Sequence, residues 1–221
     1  MMIVMPAYSF KISKGAPYWE FAENFSGRRL NVGCGSDTTG DVRLDFSTNA
    51  PGATVIANIE DGFPFRDESF DLVIAYGIIE HLGNIYTFMS EVRRVLKLSG
   101  HLSLVTDNAA FFPIYIPGQR HNGGYKGTSP EDHHVEVFHY SHIVSLLSQF
   151  NFSNIEIELC YYKEKSVKTG PATSMIQSFG YHIIRPIMGD TFAQYFMPII
   201  WARGEKSVSD QERKLTDGSL K

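Results

Sequence analysis

The sequence predicts an α/β fold built on a doubly wound, mostly parallel sheet. Three observations predict it. Strand-like apolar segments alternate with amphipathic helical segments along the chain. Two glycines, Gly33 and Gly35, directly follow the first apolar segment, residues 30–32, and Asp45 ends the next one. In sheets of this class a ligand lies at the carboxyl ends of the strands, so these positions are the expected edge of a binding site.

The glycine turn and Asp45 are spaced for a nucleoside cofactor without phosphate. A chain that turns sharply off a strand against a ligand needs a positive φ or a missing Cβ, which Gly33 and Gly35 supply. A dinucleotide site places a helix after this turn and its acidic residue about 20 residues on. Only residues 36–44 separate Gly35 from Asp45, so no full helix fits. S-adenosylmethionine matches this pattern, with its ribose at Asp45 and its amino-acid tail at the glycines.

Longer motifs identify a family resemblance over residues 30–107. They are Val32-Gly33-Cys34-Gly35, the run Pro64-Phe65-x-Asp67-x-Ser69-Phe70-Asp71, Glu80-His81-Leu82 and Arg93-Arg94-Val95-Leu96-Lys97. Their order and spacing resemble a class I S-adenosylmethionine-dependent methyltransferase of the type 11 group. The resemblance implies a Rossmann-like sheet of seven strands, here with a shortened first crossover.

The resemblance also implies which residues bind S-adenosylmethionine. Gly33, Cys34 and Gly35 would line the methionine end, and Asp45, followed by Phe46, would take the ribose. Asn58 and Ile59 would flank the adenine, and the backbone of Tyr76 and Gly77 would lie beside the sulfonium.

This chain departs from the family pattern at three places, and each departure bears on how tightly it binds the cofactor. The family has a third glycine and a helix after the turn, which this chain lacks. It has Asp where Asn58 stands, and Pro-Gly-Gly where Leu98-Ser99-Gly100 stands.

The remaining elements follow in order along the chain. The short 36–41 link is expected to be an irregular connector between parallel strands. Asn84 is expected to cap a helix through Leu96, and residues 101–106 form a buried strand. Ser141 is expected to cap a second helix that reaches Phe150. Two further strands are expected, the first at 155–159 and the last at 196–203.

Composition predicts one domain over residues 1–204, with insertions at 109–139 and 163–194 and a disordered tail at 205–221. The formal charge of −4 argues against binding along a nucleic-acid backbone. The two cysteines are too few for a disulfide framework, which favours the cytoplasm. No apolar run is long enough to span a membrane, although peripheral membrane contact stays open.

Histidines provide the candidate catalytic groups. His81 follows the fourth strand, where it either accepts a proton or positions the chain; His133 and His134 are alternatives from the 109–139 segment. The histidines lack the spacing of a metal site, so no metal is expected. Cys34 is expected to be a small filler residue rather than a nucleophile. Residues 106–108 either contact substrate or form a turn.

The leading functional prediction is methyl transfer to an oxygen or nitrogen of a small-molecule, glycan or lipid-linked acceptor. The alternative is a non-catalytic S-adenosylmethionine-binding partner subunit, and a nicotinamide oxidoreductase ranks third. Ala75-Tyr76-Gly77-Ile78 replaces the Asn/Asp-Pro-Pro-aromatic motif of amino-methylating nucleic-acid enzymes, which disfavours nucleic acid. The segment 109–139 is expected to be a lid that sets acceptor specificity.

Overall fold

A computed structural model describes residues 7–112, 134–161 and 171–208. Its centre is an eight-stranded sheet in the order β1-β7-β8-β6-β5-β2-β3-β4. β8 is antiparallel to both of its neighbours, and the other pairs are parallel. The strands are β1 Tyr8–Ile12, β2 Arg29–Val32, β3 Val42–Asp45, β4 Val55–Ile56, β5 Phe70–Tyr76, β6 Leu96–Asp107, β7 Phe152–Cys160 and β8 Ile199–Lys206. The predicted doubly wound sheet is confirmed, with β1 as one additional edge strand.

Helices flank the sheet, and short helical turns follow two of its strands. The α-helices are α1 Pro17–Asn24, α2 Ile85–Val95, α3 Tyr140–Gln149, α4 Pro171–Phe179, α5 Arg185–Met188 and α6 Asp190–Ala193. A π-helical turn, Gly180–Ile184, joins α4 to α5. The 3₁₀ turns are Ile59–Asp61, Ile79–His81 and Gln194–Phe196. Within the described ranges, no helix is long and apolar enough to cross a membrane.

The helix caps agree with the sequence prediction at α2 and differ at α3. Asn84 caps α2, since its Oδ1 accepts a hydrogen bond from Thr87 N at 3.0 Å. The cap of α3 is His139 and not the predicted Ser141, because the His139 ring nitrogen Nδ1 accepts from Ser141 N at 3.3 Å. A histidine ring thus does what a short polar side chain more often does at this position.

Alternating residues of the central strands build two apolar layers, one on each face of the sheet. Val73 and Ala75 of β5 belong to the large core that α2 and α3 cover. Leu72 and Ile74 pack on the opposite face with Ala22 of α1. This alternation is the period of two that a strand buried on both faces requires.

The first crossover is as short as predicted. β2 and β3 pair in parallel, with Leu30 beside Val42, although residues 33–41 contain no helix. Parallel neighbours normally need a dozen or more connecting residues, usually including a helix. Here the side chains of the strands hold the connector: Asn31 Nδ2 donates to Asp37 Oδ2 at 2.8 Å, and Arg43 Nη1 donates to Gly40 O at 3.0 Å.

The predicted end of the domain and the predicted start of the last strand need correction. β8 runs to Lys206, past the predicted end of the domain at 204, because Lys206 pairs with Phe152 and donates from Nζ to Leu96 O at 2.7 Å. β8 starts at Ile199, since Phe196 belongs to a 3₁₀ turn. Much of the 163–194 insertion is helical. Residues 113–133, 162–170 and 209–221 lie outside the described residues, and with them most of the predicted lid and His133.

Candidate functional site

The turn after β2 has the backbone that the sequence predicts. Gly33 and Gly35 adopt φ values of +70° and +53°, in the left-handed region that favours glycine. A Cβ on Gly33 would lie 2.7 Å from Ile78 Cδ1, so a larger residue would collide with the turn after β5. A Cβ on Gly35 would meet no atom within 4 Å. The turn therefore presents backbone to open space at Gly35.

Asp45 joins this turn to the segment after β3. Its Oδ2 accepts from Gly35 N at 2.8 Å, and its Oδ1 accepts from Ser47 N at 2.9 Å. The residue is 6% exposed, whereas the next residue, Phe46, is 61% exposed. An ionised carboxylate has about four acceptor sites, so each oxygen can accept one more hydrogen bond. A carboxylate beside an exposed aromatic ring suits a ribose and its base, so these residues fit a nucleoside.

The structure places the remaining predicted cofactor residues at the same edge of the sheet, but they differ in exposure and in hydrogen bonding. Asn58 is exposed and caps the 3₁₀ turn at 59–61, with Oδ1 accepting from Glu60 N at 3.2 Å. Ile59 is buried in the core. The Tyr76 hydroxyl contacts Tyr18 O and Ser103 Oγ, each at 2.8 Å. The side chain of Tyr76 is therefore committed to the fold, and Gly77, with φ +66°, offers only backbone to a ligand.

Cys34 lies inside the turn and is 5% exposed. Burial raises the pKa of its thiol, and the nearby Asp45 carboxylate raises it further. Both effects disfavour the thiolate, which is the nucleophilic form of cysteine.

Replacement of Cys34 by alanine is expected to leave most of the turnover intact, because the side chain only fills space in the turn. Loss of a buried sulfur should lower stability by about 1–2 kcal/mol at most, in the range of ordinary substitutions. Steady-state kinetics with S-adenosylmethionine, beside a thermal unfolding curve, test this. Lost turnover together with unchanged cofactor affinity would contradict it and make Cys34 a catalytic candidate.

Glu80 is the site residue whose importance the sequence reasoning missed. It follows β5, is 4% exposed, and its Oε2 accepts from Thr106 Oγ1 at 3.1 Å. Burial raises the pKa of Glu80 to about 8, and the charge of Asp107 adds to the rise. The sequence did show a carboxylate next to His81 after a buried strand. It did not show that this side chain turns inward.

His81 and His134 lie beside Glu80. Their rings are 4.7 Å apart between centroids and nearly perpendicular, at 82°. His134 Nδ1 lies 3.7 Å from Asp107 Oδ2 at the end of β6. Glu80, His81 and His134 each place one possible metal-ligating atom within 4.8 Å of the others. We call these three residues the Glu-His-His cluster.

Of residues 106–108, the first two reach this cluster and the third supports the fold. Asn108 is fully buried, and its Nδ2 donates to Gln194 O at 3.0 Å and Met197 O at 2.8 Å. Its Oδ1 accepts from Ala110 N at 3.0 Å, which is an Asx turn. Asn108 thus forms the expected turn, and substrate contact by Thr106 and Asp107 stays a prediction.

Comparisons with known proteins agree with this architecture. Residues 34–104 match a family described as a methyltransferase domain. An uncharacterized protein of Methanocaldococcus jannaschii is 32% identical over 92 residues, which is 36% of this chain and 40% of that protein. The chain thus spans less than half the length of this relative.

Solved structures share the fold at low sequence identity. A Thermotoga maritima methyltransferase, described as a possible histamine N-methyltransferase, has a TM-score of 0.58 and 14% identity and covers 83% of each chain. An S-adenosylmethionine-dependent methyltransferase of Archaeoglobus fulgidus has a TM-score of 0.53 and 14% identity, over 86% of this chain and 90% of that one. The [4+2]-cyclase SpnF has a TM-score of 0.52 and 14% identity, over 87% and 80%. Residues 34–104 thus match a methyltransferase domain, and the described structure has the fold of S-adenosylmethionine-dependent methyltransferases.

Proposed function

We propose that this protein transfers the methyl group of S-adenosylmethionine to an oxygen or nitrogen of a small-molecule, glycan or lipid-linked acceptor. One observation carries the proposal. The same edge of the sheet holds an open nucleoside cradle, formed by Gly35, Asp45 and Phe46, and the Glu-His-His cluster, in which Glu80 is buried. The cradle follows β2 and β3, and the cluster follows β5, the strand next to β2. A cofactor and an acceptor would meet between them.

The proposed cofactor contacts follow from these positions. Asp45 accepts hydrogen bonds from the ribose, Phe46 packs on the adenine, and Asn58 and Ile59 border it. The backbone at Gly33, Cys34 and Gly35 holds the amino-acid end, and that at Tyr76 and Gly77 lies beside the sulfonium. The open space at Gly35 and the exposed ring of Phe46 support this assignment.

The protein's own part in the reaction is alignment and proton removal. When bound, S-adenosylmethionine supplies an electrophilic methyl, whose bond to sulfur breaks toward sulfur as the acceptor atom bonds the carbon. The chain must hold the acceptor in line and exclude water. A hydroxyl acceptor must also lose its proton, and we propose that His81 takes part in that step. Its place beside Glu80, directly after β5, supports this role.

An acceptor with an apolar part is supported by the helical segment before β8. Among the described residues of 174–196, the exposed positions carry no Lys, Arg, Asp or Glu, and they include Met175 at 73% and Ile187 at 76% exposure. Ring contacts between Phe179 and Phe196 and between Phe196 and Phe112 connect this surface with the chain after β6. A lipid-linked glycan or an aromatic ring suits such surroundings.

The test is a search for methylated products. Purified protein, S-adenosylmethionine and a host-cell extract are incubated, and compounds that gain the mass of a methyl group are identified by mass spectrometry. We expect at least one such product, absent when an Asp45→Ala variant replaces the wild type. Tight binding of S-adenosylhomocysteine without any methylated product would contradict methyl transfer and favour a non-catalytic partner subunit.

A further inference from the structure

The structure carries a second binding site that the sequence did not predict. We propose that the Glu-His-His cluster, formed by Glu80, His81 and His134, binds one divalent transition-metal ion such as Zn²⁺. The binding itself is independent of methyl transfer, and only its catalytic role, described below, rests on the proposed function.

The chain brings the three ligands together by backbone contacts. Glu80 and His81 are consecutive in the 3₁₀ turn after β5. His134 is distant in sequence, but the two residues after it bind this turn: Val135 N and Glu136 N donate to Glu80 O at 2.8 and 3.2 Å. The ligand atoms lie within 4.8 Å of one another. Zinc ligands at about 2.0–2.2 Å from the metal are roughly 3–3.6 Å apart, so small side-chain rotations would close the site.

The buried carboxylate points to a ligand. Glu80 is 4% exposed, and the hydroxyl of Thr106 binds only its Oε2. Oε1 lies 3.8 Å from the position that a Cβ on Gly77 would take, so it is close to the proposed cofactor edge. Burial of a carboxylate is costly unless a proton or a cation neutralises its charge.

The donor set selects the kind of metal. Two imidazoles and one carboxylate are the protein ligands of many catalytic zinc sites, which keep one further position open. The same set with open positions also occurs around non-haem iron. Mg²⁺ and Ca²⁺ prefer oxygen ligands, so they fit poorly. Asp107, 3.7 Å from His134 Nδ1, is placed as the outer carboxylate that orients a metal-bound histidine and leaves Nε2 for the metal.

A metal here would explain how an acceptor hydroxyl loses its proton. A bound cation lowers the pKa of an oxygen that coordinates it, so the proton leaves more easily before the methyl is transferred. His81 then contributes to proton removal as a ligand of the cation. This role depends on the proposed function.

The experiment measures metal binding directly. The full chain is treated with a chelator, dialysed and titrated with ZnCl₂ by calorimetry; Co²⁺ is added to a second sample and its visible absorption recorded. We expect one ion per chain, and at least about 100-fold weaker binding in His134→Ala and in His81→Ala, since loss of even an outer partner costs about 10–100-fold. The matched control is His142→Ala, an exposed histidine on α3 outside the cluster, which should bind like the wild type.

Two further measurements keep the outcomes distinct. Glu80→Gln preserves the shape of the side chain and should also weaken binding, while thermal unfolding shows whether each variant is folded. Equal zinc affinity in wild type and in folded His81, His134 and Glu80 variants would overturn the metal site. Methyl transfer that persists in chelator with no zinc bound would overturn the role of the metal in proton removal but leave the proposed function standing. Zinc binding without any methylated product would contradict the proposed function and leave the metal site standing.

Discussion

Asp45→Ala is expected to weaken the binding of S-adenosylhomocysteine strongly. In the proposed site Asp45 binds two ribose hydroxyls, and in the structure it already holds Gly35 N and Ser47 N. Hydrogen bonds to a charged group contribute about 1.5–3 kcal/mol each, so two of them amount to about 3–6 kcal/mol. At about 1.4 kcal/mol per tenfold, affinity should fall at least about 100-fold. Titration calorimetry measures it.

Two companion variants distinguish the loss of the proposed ribose contact from a loss of folding. Asp45→Asn keeps an oxygen that can accept from Gly35 N but has no charge, so its affinity should lie between those of wild type and Asp45→Ala. Asp67→Ala removes an acidic side chain that is 74% exposed and should bind like wild type. Each protein is first shown to unfold cooperatively. Unchanged affinity in a folded Asp45→Ala variant would remove Asp45 from the cofactor site.

Glu80→Gln is expected to stabilise the metal-free protein at alkaline pH. Burial raises the pKa of Glu80 from its ordinary value of 4.5 to about 8. The native state therefore holds a proton that the unfolded chain has released, and stability falls as pH rises from about 4.5 to about 8. At about 1.36 kcal/mol per pKa unit, the full loss is about 5 kcal/mol, which glutamine avoids because it carries no charge.

The measurement is thermal or urea unfolding in the presence of a chelator, at several pH values between 5 and 9. The difference between Glu80→Gln and wild type should grow with pH and level off above about pH 8. Glutamine can still accept from Thr106 Oγ1, so that hydrogen bond is retained. Glu20→Gln, on the exposed surface of α1, serves as the control and should follow wild type at every pH. A difference that is the same at pH 5 and pH 9 would refute the prediction.

Local patterns in the sequence were sufficient to predict the features of this protein that depend on residues close together in the chain. Glycines at a turn, a carboxylate at a strand end and an asparagine before a helix act through their own backbone and nearest neighbours. The glycine turn with positive φ at Gly33 and Gly35, the cap at Asn84 and the helix-free crossover were therefore predicted from spacing alone. The fold class followed from the same alternation of elements.

Only the tertiary structure decided what depends on distant residues. The pairing of β1 with β7 joins chain segments that no periodicity connects. The side chain of Glu80 turns inward because Thr106 of β6 binds it, and His134 reaches it because Glu80 O binds the backbone that follows. Sequence alone identified the glycine turn and the carboxylate of the proposed cofactor site. The Glu-His-His cluster beside them required the fold, because burial and convergence are properties of packed neighbours and not of residue order.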